Sequence, residues 1–219
     1  MLRYAYVHGF ASSQHSFKGQ ELRRRLHDRI EVETPDLNVP SFAKLSPLAM
    51  LEALDALDGE RASAGWGLVG SSLGGWLSAR WAQLRPERVR GLLLLCPGFD
   101  LPKRWPALLG GEAMASWRRK GVRPVPDHTG ALQPLHYDFY RESLRSEPWP
   151  AIPAHIPTII VHGRQDEVVP IASSRRYVTL HPHVRLVEVE DDHSLTRSVD
   201  VLEDLLRREW DLGARREAP

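Results

Sequence analysis

Apolar residues along this chain fall into two alternating rhythms. Short unbroken runs form the first: Tyr4-Ala5-Tyr6-Val7, Trp66-Gly67-Leu68-Val69, Leu92-Leu93-Leu94-Leu95 and Thr158-Ile159-Ile160-Val161. Runs too short for a helix and bounded by polar residues predict strands covered on both faces. Val184 to Val189 alternates instead, which predicts a half-buried strand. Strands are therefore expected near 3–7, 31–34, 66–70, 91–96, 157–162 and 184–189.

Between these runs the apolar spacing turns helical. A helix near 16–28 sets Phe17, Leu22 and Leu26 towards the sheet and Arg23 to Arg25 mostly towards water. Ser46-Pro47 reads as an N-cap with proline at the first helical position, followed by Met50, Leu54 and Leu57. Trp76 to Leu84 predicts a third helix, another begins near Pro170, and the last runs from about Ser198 to Trp210 with Leu202, Leu205 and Leu206 on one stripe. Strand–helix alternation implies an α/β fold: a parallel sheet with helices on both faces. No internal repeat is visible.

Composition changes this picture little. A chain of 219 residues with 42% hydrophobic content can bury one core and suggests a single domain over 1–219. A formal net charge of +1 gives no basic field for nucleic acid. The single cysteine, Cys96, excludes an internal disulfide framework and reads as a buried strand end. Met1-Leu2-Arg3-Tyr4 enters a strand directly without a signal-peptide pattern, and no apolar run approaches a membrane span, so a cytoplasmic location is expected. His162, His181 and His183 form no compact metal motif, and neither a Walker loop nor a strand-borne G-x-G-x-x-G is present. No metal and no cofactor are expected.

Candidate chemistry centres on Gly70-Ser71-Ser72-Leu73-Gly74, a G-x-S-x-G sequence between an expected strand and an expected helix. A serine on such a tight turn has its hydroxyl pushed out towards substrate, and the central position makes Ser72, not Ser71, the candidate nucleophile. Serine needs a base, and the base needs an orienting acid, which follow in the order Ser, Asp, His in hydrolases with this elbow. Asp166 follows the run ending at His162-Gly163, and His193 follows the alternating run 184–189. All three fall just after strands, at the edge where open α/β sheets bind ligands. Asp100, after Leu92 to Cys96, is the rival acid; Asp192 adjoins His193 at the wrong distance to orient its ring; His162 reads as a packed histidine. His8-Gly9-Phe10 closes the first strand. The N–H groups of Phe10 and Leu73 are the candidate oxyanion hole, and His8, Gly9 and Ser71 are expected beside the substrate. The plainer reading of His8-Gly9 is an ordinary turn.

With His8-Gly9-Phe10, Gly70-Ser71-Ser72-Leu73-Gly74-Gly75, Gly163-Arg164-Gln165-Asp166-Glu167-Val168-Val169-Pro170 and Asp192-His193 in this order, the chain resembles the α/β-hydrolase superfamily. Within it, the early H-G-F, the G-S-S-L-G-G sequence and the short length are similar to the small bacterial serine esterases called YqiA-like, over residues 3–208. The resemblance implies a three-layer fold with six mostly parallel strands in the order 2-1-3-4-5-6, lacking the family's two leading strands. It implies hydrolysis of a small-molecule carboxylic ester or thioester through an acyl-enzyme, without cofactor.

Residues 98–156 exceed what a crossover needs. Their tryptophans, tyrosines and phenylalanines suggest a lid over an acyl pocket; the plainer reading is a crossover helix with surface loops. The basic residues there, Lys103, Arg104, Arg118, Arg119, Lys120 and Arg123, suggest either attraction for an anionic leaving group or a solvated face. Residues 213–219 read as a frayed tail. The expected activity is a serine esterase. A thioesterase or protein S-deacylase with the same triad, a cofactor-free perhydrolase or C–C hydrolase, and a non-catalytic binding protein are the alternatives, and the oligomeric state is open.

Overall fold

The computed structural model describes residues 2–60 and 62–212; the expected frayed tail lies outside the described residues. In chain order the elements are β1 (Arg3–Val7), α1 (Phe17–Leu26), β2 (Val32–Glu33), α2 (Pro47–Gly59), β3 (Trp66–Ser71), α3 (Leu73–Leu84), β4 (Val89–Leu95), α4 (Leu101–Leu109), α5 (Gly111–Lys120), β5 (Val122–Pro126), β6 (Leu132–His136), α6 (Tyr137–Ser143), β7 (Thr158–Gly163), α7 (Ile171–Leu180), β8 (Val184–Val189) and α8 (Val199–Glu209). The main sheet has the order β2-β1-β3-β4-β7-β8, and every neighbouring pair is parallel. These are the six expected strands in the expected spatial order.

Two apolar clusters lie on opposite sides of the sheet, and the strands feed them alternately. Ala5, Val7, Leu68, Leu92, Leu94 and Ile160 join one cluster with Met50 and Leu54 of α2, Leu77 and Trp81 of α3, and Tyr177 of α7. Tyr4, Tyr6, Val69, Leu93, Leu95, Ile159 and Val161 join the other, with Leu22 and Leu26 of α1 and Leu202 and Leu206 of α8. A strand's side chains alternate faces, so unbroken apolar runs are what a sheet covered on both sides requires. The result is the three-layer α/β-hydrolase architecture. Among the described residues, no helix is long and apolar enough to cross a membrane.

The structure departs from the sequence expectations in three places. Phe17 is 58% exposed: it is the first residue of α1, and the apolar side chains that the helix buries are Leu22 and Leu26. The third helix begins at Leu73, three residues before the expected Trp76, because Gly74 and Gly75 are helical despite their low propensity. Packing explains their presence. A methyl group added at Gly74 would lie 2.1 Å from the Val7 carbonyl oxygen and 2.5 Å from that of His8. The third departure is an antiparallel hairpin, β5–β6, within the long β4–β7 connection.

Gly74→Ala should therefore force β1 and α3 apart and cost about 3 kcal/mol, read as a lowered urea midpoint. The control is Gly111→Ala in α5, where nothing lies within 4 Å of the added carbon. There the midpoint should hold or rise, by up to about 1 kcal/mol. Equal effects at both sites would refute the close-approach explanation.

Candidate active site

Ser72 occupies the junction between β3 and α3 with φ 54° and ψ −116°. A left-handed φ in a residue bearing a Cβ is strained, and surrounding structure must hold it there. The Ser72 N–H donates to Leu95 O at 2.8 Å, and its carbonyl accepts from Gly75 N–H at 2.9 Å and Gly98 N–H at 2.9 Å. Its hydroxyl makes no capping hydrogen bond to the helix it begins. Backbone bonds thus fix the turn and leave the side chain uncommitted to it. Two glycine loops close in: a methyl at Gly9 would lie 3.2 Å from Ser72 Cβ, and one at Gly98 would lie 3.4 Å from Leu73 N.

Leu73 is the first residue of α3, so its N–H has no intrahelical acceptor and stands at the positive end of the helix dipole. Phe10 lies in the turn after β1, and its ring stacks on Phe139 at 5.6 Å and edges against Trp105 at 5.8 Å. The first loop is thereby pinned to the β4–β7 connection.

His193, after β8, donates from Nδ1 to Asp166 Oδ2 at 2.7 Å. With hydrogen on Nδ1, the Nε2 lone pair is left to act as a base. Asp166 Oδ1 accepts from the N–H groups of Val168 at 2.8 Å and Val169 at 2.7 Å. His162 Nε2 lies 3.2 Å from Oδ2 and donates at 2.8 Å to Val169 O, while its Nδ1 is 2.7 Å from the Ser174 hydroxyl. Burial opposes ionisation of Asp166, yet the hydrogen bonds from His162, His193 and Val169 outweigh it and hold the carboxyl well below the usual carboxylate range. Asp100, the rival acid, begins α4 with its carboxylate 3.3 Å from Lys103 Nζ.

The His193 loop is braced by groups the sequence reading did not assign. Asp191, fully buried, accepts from Asp192 N–H, Arg197 N–H, Arg197 Nε and the Ser198 hydroxyl. Lys18 of α1 donates to Ser194 O. Asp192 accepts from Ser194 N–H at 2.8 Å, holding its own loop, not the neighbouring imidazole. A methyl at Gly163 would sit 2.4 Å from Asp191 O, so β7 must carry glycine for this loop to cross it.

The substrate-side candidates His8 and Ser71 are both buried. His8 is 4% exposed; its Nε2 accepts from Leu37 N–H at 2.9 Å and its Nδ1 lies 3.0 Å from Gly9 O. Burial lowers its pKa, and the ring tethers the loop after β2 to β1. Ser71 is buried at the end of β3, with its side chain towards that of Tyr6 on the neighbouring strand β1. Gly9, by contrast, lies directly against Ser72. His162 is packed as expected, and it also touches the acid. Cys96, His162 and Asp166 place ligand-capable atoms within 4.8 Å of one another. Burial pushes the Cys96 thiol up, His162 Nε2 carries hydrogen and Asp166 is filled with donors, so hydrogen bonding accounts for this trio.

Beside Leu73 opens an apolar cavity lined by Leu73, Trp76, Leu101, Trp105, Phe139 and Tyr140 among others. Four of these six come from the connection between β4 and β7. Its nearby polar groups are satisfied internally: Trp76 Nε1 donates to Glu147 O and the Ser143 hydroxyl to Phe139 O.

The model of an uncharacterised protein family, UPF0227, matches residues 3–207. The mitochondrial palmitoyl-protein thioesterase ABHD10 is 31% identical in Rattus norvegicus over 157 residues, 64% of this chain and 52% of that protein. The Homo sapiens protein is 30% identical over 143 residues, 61% of this chain and 46% of that one. The chain thus spans about half the length of the curated relatives it matches. Among solved structures, mouse alpha/beta hydrolase domain-containing protein 10 superposes with TM-score 0.75 at 22% identity, covering 95% of this chain and 89% of that one. Est1E from Butyrivibrio proteoclasticus, with ferulic acid bound, gives TM-score 0.77 at 18% identity, covering 95% and 87%.

Proposed function

This chain belongs to uncharacterised protein family UPF0227 and to the α/β-hydrolase superfamily, and from that premise we propose that it is a serine hydrolase of carboxylic esters. The observation that carries the reading is a strained, backbone-fixed Ser72 in one fold with a His193 whose Nδ1 is bound to the buried Asp166. His193 Nε2 takes the Ser72 proton as the hydroxyl oxygen attacks the acyl carbon. The N–H groups of Leu73 and Phe10 receive the developing oxyanion. His193 then returns the proton to the departing alcohol, and a water activated by the same ring releases the acid and frees Ser72. Asp166 keeps the imidazole in the required tautomer throughout. A fluorophosphonate probe, with peptide mass spectrometry, tests this. Adduct on Ser72 is expected; a folded protein left unlabelled refutes an activated serine.

The cavity beside Leu73 supports an apolar acyl group, with the β4–β7 connection acting as its lid. Burial of a methylene is worth about 0.8 kcal/mol. In a series of p-nitrophenyl esters, kcat/KM should therefore rise about four-fold per carbon beyond acetyl until the cavity is filled. Leu101→Trp should shorten the preferred chain; an unchanged length profile would place the acyl group elsewhere. The relatives named as palmitoyl-protein thioesterases favour a second reading, thioester hydrolysis by the same residues. Matched oxygen and sulfur esters of one acid decide between them.

A further inference from the structure

Lid helix α4 carries two kinds of side chain towards the site. Leu101 and Trp105 line the apolar cavity. Arg104 leans instead on the loop after β7, where its Nη1 donates to Val168 O at 3.3 Å. That loop is the one that holds Asp166, through Val168 N–H. The other donors of the guanidinium, Nε and Nη2, are buried and have no hydrogen-bond partner. Among the described residues only a few buried side-chain atoms are left so, and these two form one edge of a single group. Burial disfavours the cation, and only the fields of Asp100 and Asp166 compensate. Neither carboxylate accepts from it: Asp166 is filled by Val168, Val169, His193 and His162, and Asp100, whose Oδ1 is itself without a hydrogen-bond partner, lies 3.3 Å from Lys103 Nζ.

An unpaired buried donor is expensive, and a charged one more so. The Nε/Nη2 edge is planar, with two parallel N–H bonds spaced to meet two oxygens of one carboxylate or phosphate. We propose that Arg104 is a specificity-determining residue that binds an anionic oxygen group on the leaving-group part of the substrate. Placement selects that part. The acyl cavity lies on the Leu101–Trp105 side of α4, whereas Arg104 sits against the loop of Asp166, the partner of His193, and His193 delivers the proton to the leaving group. The lid helix thus reads the two halves of the ester with two faces, one apolar and one cationic. Of the basic residues in this connection, Lys103, Arg118, Arg119 and Lys120 are exposed, as a solvated face would be; Arg104 is turned inward.

This inference rests on the ester-hydrolase reading, and its test separates the two. Hydrolysis of 4-butyryloxybenzoate, whose leaving group carries a carboxylate, is compared with the neutral 4-butyryloxybenzamide. The wild type should prefer the carboxylate in kcat/KM by about 10-fold or more, mainly through KM, and the preference should shrink with added salt. Arg104→Gln should cut that ratio at least 10-fold, and Arg104→Lys should restore part of it. Two further substrates locate and identify the anion. A succinyl ester of 4-hydroxybenzamide moves the charge to the acyl side and should gain nothing from Arg104; 4-butyryloxyphenyl phosphate asks whether phosphate replaces carboxylate. A ratio unchanged in Arg104→Gln overturns the proposal. So does equal loss of thermal stability in Arg104→Gln and Asp100→Asn with the ratio intact, which marks a structural ion pair along α4. If no ester is turned over, calorimetric binding of 4-hydroxybenzoate to the protein still decides. Binding that Arg104→Gln abolishes keeps the anion site while the hydrolase reading falls, and no binding ends both.

Discussion

Ser72→Ala is expected to lower kcat for ester hydrolysis by about 10,000-fold or more while the thermal midpoint stays within a degree or two of wild type. The size follows from the chemistry. Without the hydroxyl no acyl-enzyme forms, and only binding and oxyanion stabilisation remain to assist water. The unchanged midpoint follows from the structure. The Ser72 side chain makes no capping bond, and its backbone bonds to Leu95, Gly75 and Gly98 persist in alanine. Alanine also keeps the Cβ, so the strain at φ 54° stays. Glycine removes it. Ser72→Gly should be as inactive as the alanine variant yet more stable by about 1 kcal/mol, read as a raised urea midpoint. That pair of results would show stability spent on holding a hydroxyl in place. An alanine variant with near-native turnover would end the proposed role of Ser72. A glycine variant no more stable than alanine would show that the turn is unstrained.

The sheet was legible in the sequence because each central strand is covered on both faces. Runs such as Leu92 to Leu95 can bury alternate side chains in opposite layers only in that setting. The positions of Ser72, Asp166 and His193 after β3, β7 and β8 followed from the same runs. The hairpin β5–β6 was not legible. Its strands pair Pro124 with Pro134, and prolines argue against a strand in general. They are tolerated here because a two-stranded sheet is all edge. The turn signal was present, since Asp127 accepts from the N–H groups of Thr129 and Ala131 and Gly130 has φ 84°, but no apolar alternation flanks it. The contacts of His8 and His162 were hidden for a different reason. A histidine at a strand end can face substrate, scaffold or acid, and only the loops that cross it decide. The same holds for Arg104, which is one basic residue among several until α4 is docked on the Asp166 loop.

The hydrogen bonds around Asp166 lead to the second large effect. Asp166→Asn should lower kcat by about 10,000-fold, and Asp100→Asn should change it little. Two backbone N–H groups, those of Val168 and Val169, point at Oδ1 and cannot change role. An asparagine must therefore present its carbonyl oxygen to them and its NH₂ at the Oδ2 position. There it meets His193 Nδ1 and His162 Nε2, both of which carry hydrogen in the wild type. Donor against donor forces His193 into the other tautomer, with hydrogen on Nε2, where a base is needed. The loss should appear in kcat, with KM changed less. Stability provides an independent check, because ionised Asp166 is favoured in the fold. Its folded pKa lies below the unfolded value of about 3.9. Its contribution is therefore complete above that value and is lost as pH falls towards the depressed folded pKa. Between about pH 5 and pH 2 the wild type should lose stability faster than Asp166→Asn, and the two curves should converge at the acid end. If Asp100→Asn proves the more damaging change to kcat, Asp100 is the acid in solution, and the bond between His193 and Asp166 serves the fold alone.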